Sequence, residues 1–134
     1  MAEPFKIERL KSRPQFLAAA KGVSEARGAV VIQRLDRADG DPVVRLGFTA
    51  TRKIGGAVVR NRAKRRLREA ARLLAPEWAV PGSDYVFIAR MGTADRPWDR
   101  LLDDVKSALT RLATPRPATK VAPQAPNLPA GQDS

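Results

Sequence analysis

Residues 45–72 read RLGFTATRKIGGAVVRNRAKRRLREAAR, and two periodicities meet inside this stretch. Over 43–52, apolar and polar side chains alternate, placing Leu46, Phe48 and Ala50 on one face and Arg45, Gly47, Thr49 and Thr51 on the other. That is the two-residue repeat of a half-buried strand. Gly55-Gly56 ends the pattern. From 57 to 74, Val59, Ala63, Leu67, Ala70 and Leu74 fall on one stripe at helical spacing, so the strand is predicted to run directly into a long amphipathic helix.

On the N-terminal side, 9–22 reads as a short helix. Ser12 and Gln15 have capping-box spacing, Pro14 suits the first turn and Gly22 suits the end. The run GAVVIQRL at 28–35 is rich in β-branched residues and predicts a strand, and the polar stretch 36–42 predicts the hairpin connection to the next. On the C-terminal side, Pro81-Gly82 marks a turn. The nearly unbroken apolar run YVFIA at 85–89 fits a strand covered on both faces. Trp98, Leu101, Leu102, Val105, Leu109 and Leu112 recur at helical spacing, with Asp99, Asp103 and Asp104 early and Arg111 late, as the helix dipole favours. The order helix, two or three strands, helix, strand, helix predicts an α+β two-layer sandwich. One domain over 5–113 is expected, followed by a Pro/Ala-rich tail over 114–134 with too few large apolar side chains to offset the entropy of ordering.

The 134 residues include 25 Lys and Arg against 14 Asp and Glu, a formal net charge of +11, which attracts polyanions. Cysteine and histidine are absent. That removes disulfides, Cys/His zinc sites, thiol nucleophiles and the commonest general base near neutral pH. The acids form no catalytic constellation: Asp36, Asp39 and Asp41 sit in a predicted turn, and Asp99, Asp103 and Asp104 read as first-turn residues of the last helix. No catalytic residue and no metal ligand is therefore assigned. No apolar run approaches the roughly 20 residues that span a bilayer, and no signal-peptide core is present at the N-terminus; a cytoplasmic protein without a membrane partner is expected.

The positive charge is concentrated. Arg52, Lys53, Arg60, Arg62, Lys64, Arg65, Arg66, Arg68 and Arg72 crowd one strand end and the following helix, with Glu69 the only acid between them. At 100° per residue, Arg60, Asn61, Lys64, Arg65, Arg68 and Arg72 project away from the apolar stripe, and Arg62 and Arg66 flank its other side. A solvated helix face usually mixes signs to gain i,i+4 pairs, whereas like charges there repel. Cations in the first turn also oppose the helix dipole. Both costs are removed by an external polyanion, and arginine suits bidentate recognition of phosphate. Gly55-Gly56 lets a phosphate approach the first-turn N–H groups, but the spacing and the Lys-Ser/Thr pair of a P-loop are missing, which argues against nucleotide hydrolysis.

The stretch 45–72 resembles the signature of the bacterial ribonuclease P protein family, centred on Arg60-Asn61-Arg62 with Lys64, Arg65, Arg68 and Glu69 at the family's spacing and the Arg52-Lys53 pair upstream. Looser similarity runs from 9 to 112, including RLKSRPQF and YVFIAR. The resemblance implies a mixed sheet with a left-handed βαβ crossover helix, like the second domain of ribosomal protein S5, although generic rules favour the right-handed form. It implies the protein subunit of a ribonucleoprotein that removes the 5′ leader from precursor tRNA. Hydrolysis and Mg2+ binding would be carried mainly by the RNA subunit, with no cofactor on the protein alone and no obligate protein partner. It also implies two RNA-facing surfaces. Arg60, Asn61, Arg62, Lys64, Arg65, Arg66 and Arg68 would contact the catalytic RNA. A cleft between the first helix and the sheet would receive the leader, with Phe16 matching the family's aromatic and Phe48, Arg52 and Lys53 as further contacts. Ala20 and Gln33 stand where that family often carries a second aromatic and a strand tyrosine, so leader binding is expected to be weaker or less base-dependent here.

Three other readings share parts of this pattern. A ribosomal or RNA-chaperone protein would share the charge and the small α+β fold. A DNA-binding protein would place the basic helix in a major groove. A protein-only metal nuclease would cut without an RNA subunit.

Overall fold

The computed structural model describes residues 5–113. The elements in chain order are β1 (Ile7–Arg9), α1 (Arg13–Ala20), β2 (Val23–Arg27), β3 (Val30–Asp36), β4 (Val44–Thr49), a one-turn 3-10 helix (Arg52–Ile54), α2 (Ala57–Trp78), β5 (Ser83–Ala89) and α3 (Trp98–Ala113). They form a five-stranded mixed sheet in the order β1-β4-β5-β3-β2. The β1/β4 and β4/β5 pairs are parallel, and β5/β3 and β3/β2 are antiparallel. Because β4 and β5 are parallel neighbours, α2 is the crossover between them.

The apolar run of β5 is explained by its central place. Tyr85 and Phe87 are fully buried on the face covered by α2 and α3, and Val86 is buried beneath α1 on the other. The main core joins these strands to α2 through Ala63, Leu67, Ala70 and Ala71 and to α3 through Leu101, Val105 and Leu109. Alanines along α2 let the helix lie close to the sheet and to α3. A smaller cluster of Leu10, Ala19 and Val86, with Phe16, Leu35 and Ile88 half-buried around it, fixes α1 on the opposite face.

The structure adds two short edge strands that periodicity does not reveal. Arg9 lies in β1, paired with Leu46, rather than in the first helix, which begins at Arg13. There the Gln15 side-chain oxygen accepts from the main-chain N–H groups of Lys11 (2.8 Å) and Ser12 (3.2 Å). The strand predicted over 43–52 stops at Thr49. Helix α2 continues past Leu74, through Pro76, to Trp78. Pro76 lies in the last turn, where the main chain loses one hydrogen bond, and Ala75 and Trp78 pack the extra turn against the core. Val59, expected on the core stripe, is instead 38 % exposed and packs on Gly55. Asp104 is not a first-turn residue but lies seven positions into α3 and is buried. The tail expected over 114–134 lies outside the described residues.

Candidate nucleic-acid interface

The basic helix presents its charge as a surface because its opposite side is fixed in the core. Ala63, Leu67, Ala70 and Ala71 face the sheet and α3, leaving Asn61, Arg62, Arg65 and Arg68 exposed and Arg60 and Lys64 half-buried. Among the described residues, none of Arg60, Arg62, Lys64, Arg65 and Arg68 has a carboxylate within ion-pair distance. The one acid in the run, Glu69, is engaged by Arg72 at 2.5 Å, which lowers the Glu69 pKa through that hydrogen bond. The Nε of Arg60 is buried without a hydrogen-bond partner. Arg60, Arg62, Lys64, Arg65 and Arg68 thus form a run of five unneutralised cations over 60–68, and Gly56 at the N-cap brings no capping side chain; such clustering is the electrostatic pattern of polyanion-binding surfaces.

Arg66 is different from its neighbours. Its guanidinium donates to the main-chain oxygens of Thr93 (2.7 Å) and Arg96 and lies 5.7 Å from the Trp98 ring centroid. Burial, followed by the like charge of Arg62, depresses its pKa, and Asp95 opposes that shift. The loop it holds is itself fastened. The Thr93 hydroxyl donates to the Ala29 carbonyl at 2.6 Å. The Arg96 guanidinium meets the Asp104 carboxylate at 2.9 Å, and the same carboxylate accepts from the Ala29 N–H at 3.0 Å. Arg66, read from sequence as an RNA contact, also ties the basic helix to the β5–α3 loop.

The cleft residues also divide. Phe16 is half-buried over Gly47, close enough that a Cβ at Gly47 would lie 2.6 Å from its ring. Phe48, one residue along β4, points to the other face, stacks on Phe87 at 5.2 Å and carries the Arg68 guanidinium 5.8 Å above its ring centroid. The structure thus places Phe16 in the cleft beside α1 and Phe48 outside it. Beside α1 the sheet face continues through Val31, Ile88 and Thr49, which are register partners across β3, β5 and β4 and all half-buried. Gln33, paired with Val86, lies on the same face. The alternation of β4 already pointed Thr49 to this face; Val31 and Ile88 needed the strand order. Arg52 and Lys53 are exposed in the 3-10 turn at the junction of this face with the start of α2.

The acids of the 36–42 loop serve the turn. Asp36, Asp39 and Asp41 accept main-chain N–H groups two residues ahead, and Asp39 also pairs with Arg37 at 2.9 Å. At least one oxygen of each is committed locally, and among the described residues no three acids converge as a ligand set. Among the described residues, no helix is long and apolar enough to cross a membrane.

The sequence profile of the Ribonuclease P family matches residues 5–113. The ribonuclease P protein component of Caulobacter vibrioides is 65% identical over 119 residues, covering 87% of this chain and 80% of the relative. That of Ruegeria pomeroyi is 49% identical over 113 residues, covering 83% and 90%. Among solved structures, the ribonuclease P protein of Thermotoga maritima superposes with a TM-score of 0.66 at 28% identity, covering 77% of this chain and 96% of that one. The Staphylococcus aureus protein gives 0.66 at 26% identity, covering 78% and 94%. A match across the whole described region, on a shared fold and with the Arg60-Asn61-Arg62 helix turned outward, leaves one assignment: the chain belongs to the ribonuclease P protein family, the protein component of a tRNA-processing endoribonuclease.

Proposed function

We propose that this chain binds the ribonuclease P RNA through the unpaired cations of α2 and guides the 5′ leader of precursor tRNA along the α1 face of the sheet. The observation that carries the reading is the row Arg60, Arg62, Lys64, Arg65 and Arg68, held outward without carboxylate partners by a helix whose other side is core. Asn61 lies in the same exposed row. Phe16, flanked by Val31, Thr49 and Ile88, offers a single-stranded leader an aromatic and apolar surface; base stacking on an aromatic contributes about 1–3 kcal/mol with little sequence preference. Arg52 and Lys53, at the junction of the two surfaces, suit the phosphates between leader and RNA core. In this division of labour the RNA holds the Mg2+ ions and activates water, and the protein supplies affinity and orientation in the cytoplasm.

The test is the salt dependence of RNA-subunit affinity. Removing the charge at Arg60, Arg62 or Arg65 is expected to reduce the slope of log K against log salt by about 0.7–0.9 per lost phosphate contact. Unchanged slopes in all three variants would remove α2 as the RNA surface. Phe16→Ala is expected to raise the KM of precursor tRNA carrying a leader of several nucleotides; an equal effect on leaderless tRNA binding would remove the cleft assignment.

A further inference from the structure

The two helices on the main-core face do not cover all five strands. Helix α3 packs over β2 and β3, and α2 packs over β4 and β5; β1, at the sheet edge, packs extensively under neither. The result is a groove of about 290 Å³ between the β1/β4 edge and the C-terminal half of α2. Its floor is Ile7, Leu46 and the ring of Phe48, Glu8 and Arg9 line the β1 side, and Arg68, Arg72 and Pro76, four residues apart along α2, form one wall. Strand alternation brings Arg9 to the same face as Ile7, beside Leu46, its register partner.

We infer that this groove is a second nucleotide site, on the opposite side of the sheet from Phe16, which takes one unpaired nucleotide of single-stranded RNA. The base lies on the floor of Ile7, Leu46 and Phe48 against the Arg68 guanidinium, and the phosphate is directed to Arg9. Three features fit that occupant. The volume is at the small end of ligand sites, about 300 Å³, the scale of one nucleotide. Arg68, whose guanidinium lies 5.8 Å from the Phe48 ring centroid, borders an apolar floor, and a guanidinium plane is one of the surfaces on which unpaired bases are held. The lining is net positive, with Arg9, Arg68 and Arg72 against Glu8; Arg9 and Arg68 have no carboxylate within ion-pair distance among the described residues, while Arg72 is already paired with Glu69. Arg68 also joins the groove to the row of cations upstream on α2, so an RNA strand following that helix can turn a base into it. The inference rests on α2 being the RNA-facing helix, and the experiment separates the two.

The full chain, with its Ile, Leu and Val methyl groups labelled, is titrated with a mixed-sequence RNA pentanucleotide and, separately, with inorganic phosphate. The inference expects saturable shifts of the Ile7 and Leu46 methyls with the oligonucleotide only. It also expects about a tenfold weakening of those shifts in Arg68→Ala, in line with loss of one stacked base, and in the rim variant Arg9→Ala, which leaves the core untouched. Shifts confined to Leu10 and Val86 would overturn it in favour of the α1 face alone, and equal shifts with phosphate would overturn it in favour of an anion site without base recognition. No shift at Ile7 and Leu46 while ribonuclease P RNA still binds with a slope sensitive to Arg65→Ala overturns this inference and leaves the RNA-facing helix standing. No shift at Ile7 and Leu46 together with slopes unchanged in the Arg60, Arg62 and Arg65 variants alike removes both.

Discussion

Arg66 donates to the Thr93 carbonyl at 2.7 Å across 27 residues of sequence, so the basic helix is tied to the β5–α3 loop by one of its own arginines. Arg66→Ala is expected to cost about 1.5–3 kcal/mol of folding stability, the range for hydrogen bonds to a charged group, and to leave the salt slope of RNA binding unchanged. Arg65→Ala, one residue away and fully outward, is expected to do the reverse. Urea unfolding beside salt-titrated RNA binding separates them; a flattened slope with unchanged stability in Arg66→Ala would return that residue to the RNA surface.

Gly28 sits at φ 49° with the Asp104 carboxylate where a Cβ would stand, 2.3 Å from each of its oxygens. Gly28→Ala combines left-handed strain of about 1–2 kcal/mol with displacement of a carboxylate that holds Ala29 and Arg96, about 1–3 kcal/mol more if a buried partner is lost. A urea-derived loss well above 1 kcal/mol is expected; a smaller one would show that the Asp104 lock contributes little.

Gly47 gives Phe16 its seat. A methyl there would meet the ring at 2.6 Å and Leu10 at 2.9 Å, so Gly47→Ala is expected to lift Phe16 and cost about 1–3 kcal/mol by overpacking. If the leader lies on this face, KM for leader-bearing substrate changes and leaderless tRNA binding does not. Unaltered kinetics in a variant whose Phe16 ring has moved, as seen by NMR, would count against the leader path.

Tyr85 is the single tyrosine of the chain, and its pKa is raised above the ordinary 10.0, first by burial, with the Val80 N–H donated to its oxygen pulling the other way. The folded state therefore holds the phenol proton more tightly than the unfolded chain does. The stability this contributes is complete below pH about 10 and is lost as pH rises toward the folded-state pKa. Titrating tyrosinate absorbance in the folded and urea-unfolded protein is expected to give the higher midpoint when folded. Tyr85→Phe is expected to remove this part of the alkaline destabilisation, and coincident midpoints would contradict it.

The elements with strong periodicity are legible in the sequence: the alternation of β4, the stripe of α2, the apolar run of β5 and the spacing of α3. The edge strands are not. β1 has three residues, and β2, VSEAR, has no fully buried position, so neither carries a hydrophobic pattern; they exist because β4 and β3 offer them main-chain partners. The site shows the same limit. A run of arginines tells that α2 is basic, but only tertiary placement tells that Arg66 meets two carbonyls of a distant loop while Arg62 and Arg65 meet none. Phe16 and Phe48 looked like one aromatic cleft until the alternation of β4 was combined with the positions of α1 and α2, which puts them on opposite faces.

The most direct test is cleavage of precursor tRNA at low magnesium by the organism's ribonuclease P RNA, with and without this protein, alongside protein alone. The account expects efficient cleavage, with the intact leader released, only when RNA and protein are combined. Cleavage by the protein alone, or no gain on adding it while unrelated RNAs still bind, would contradict it.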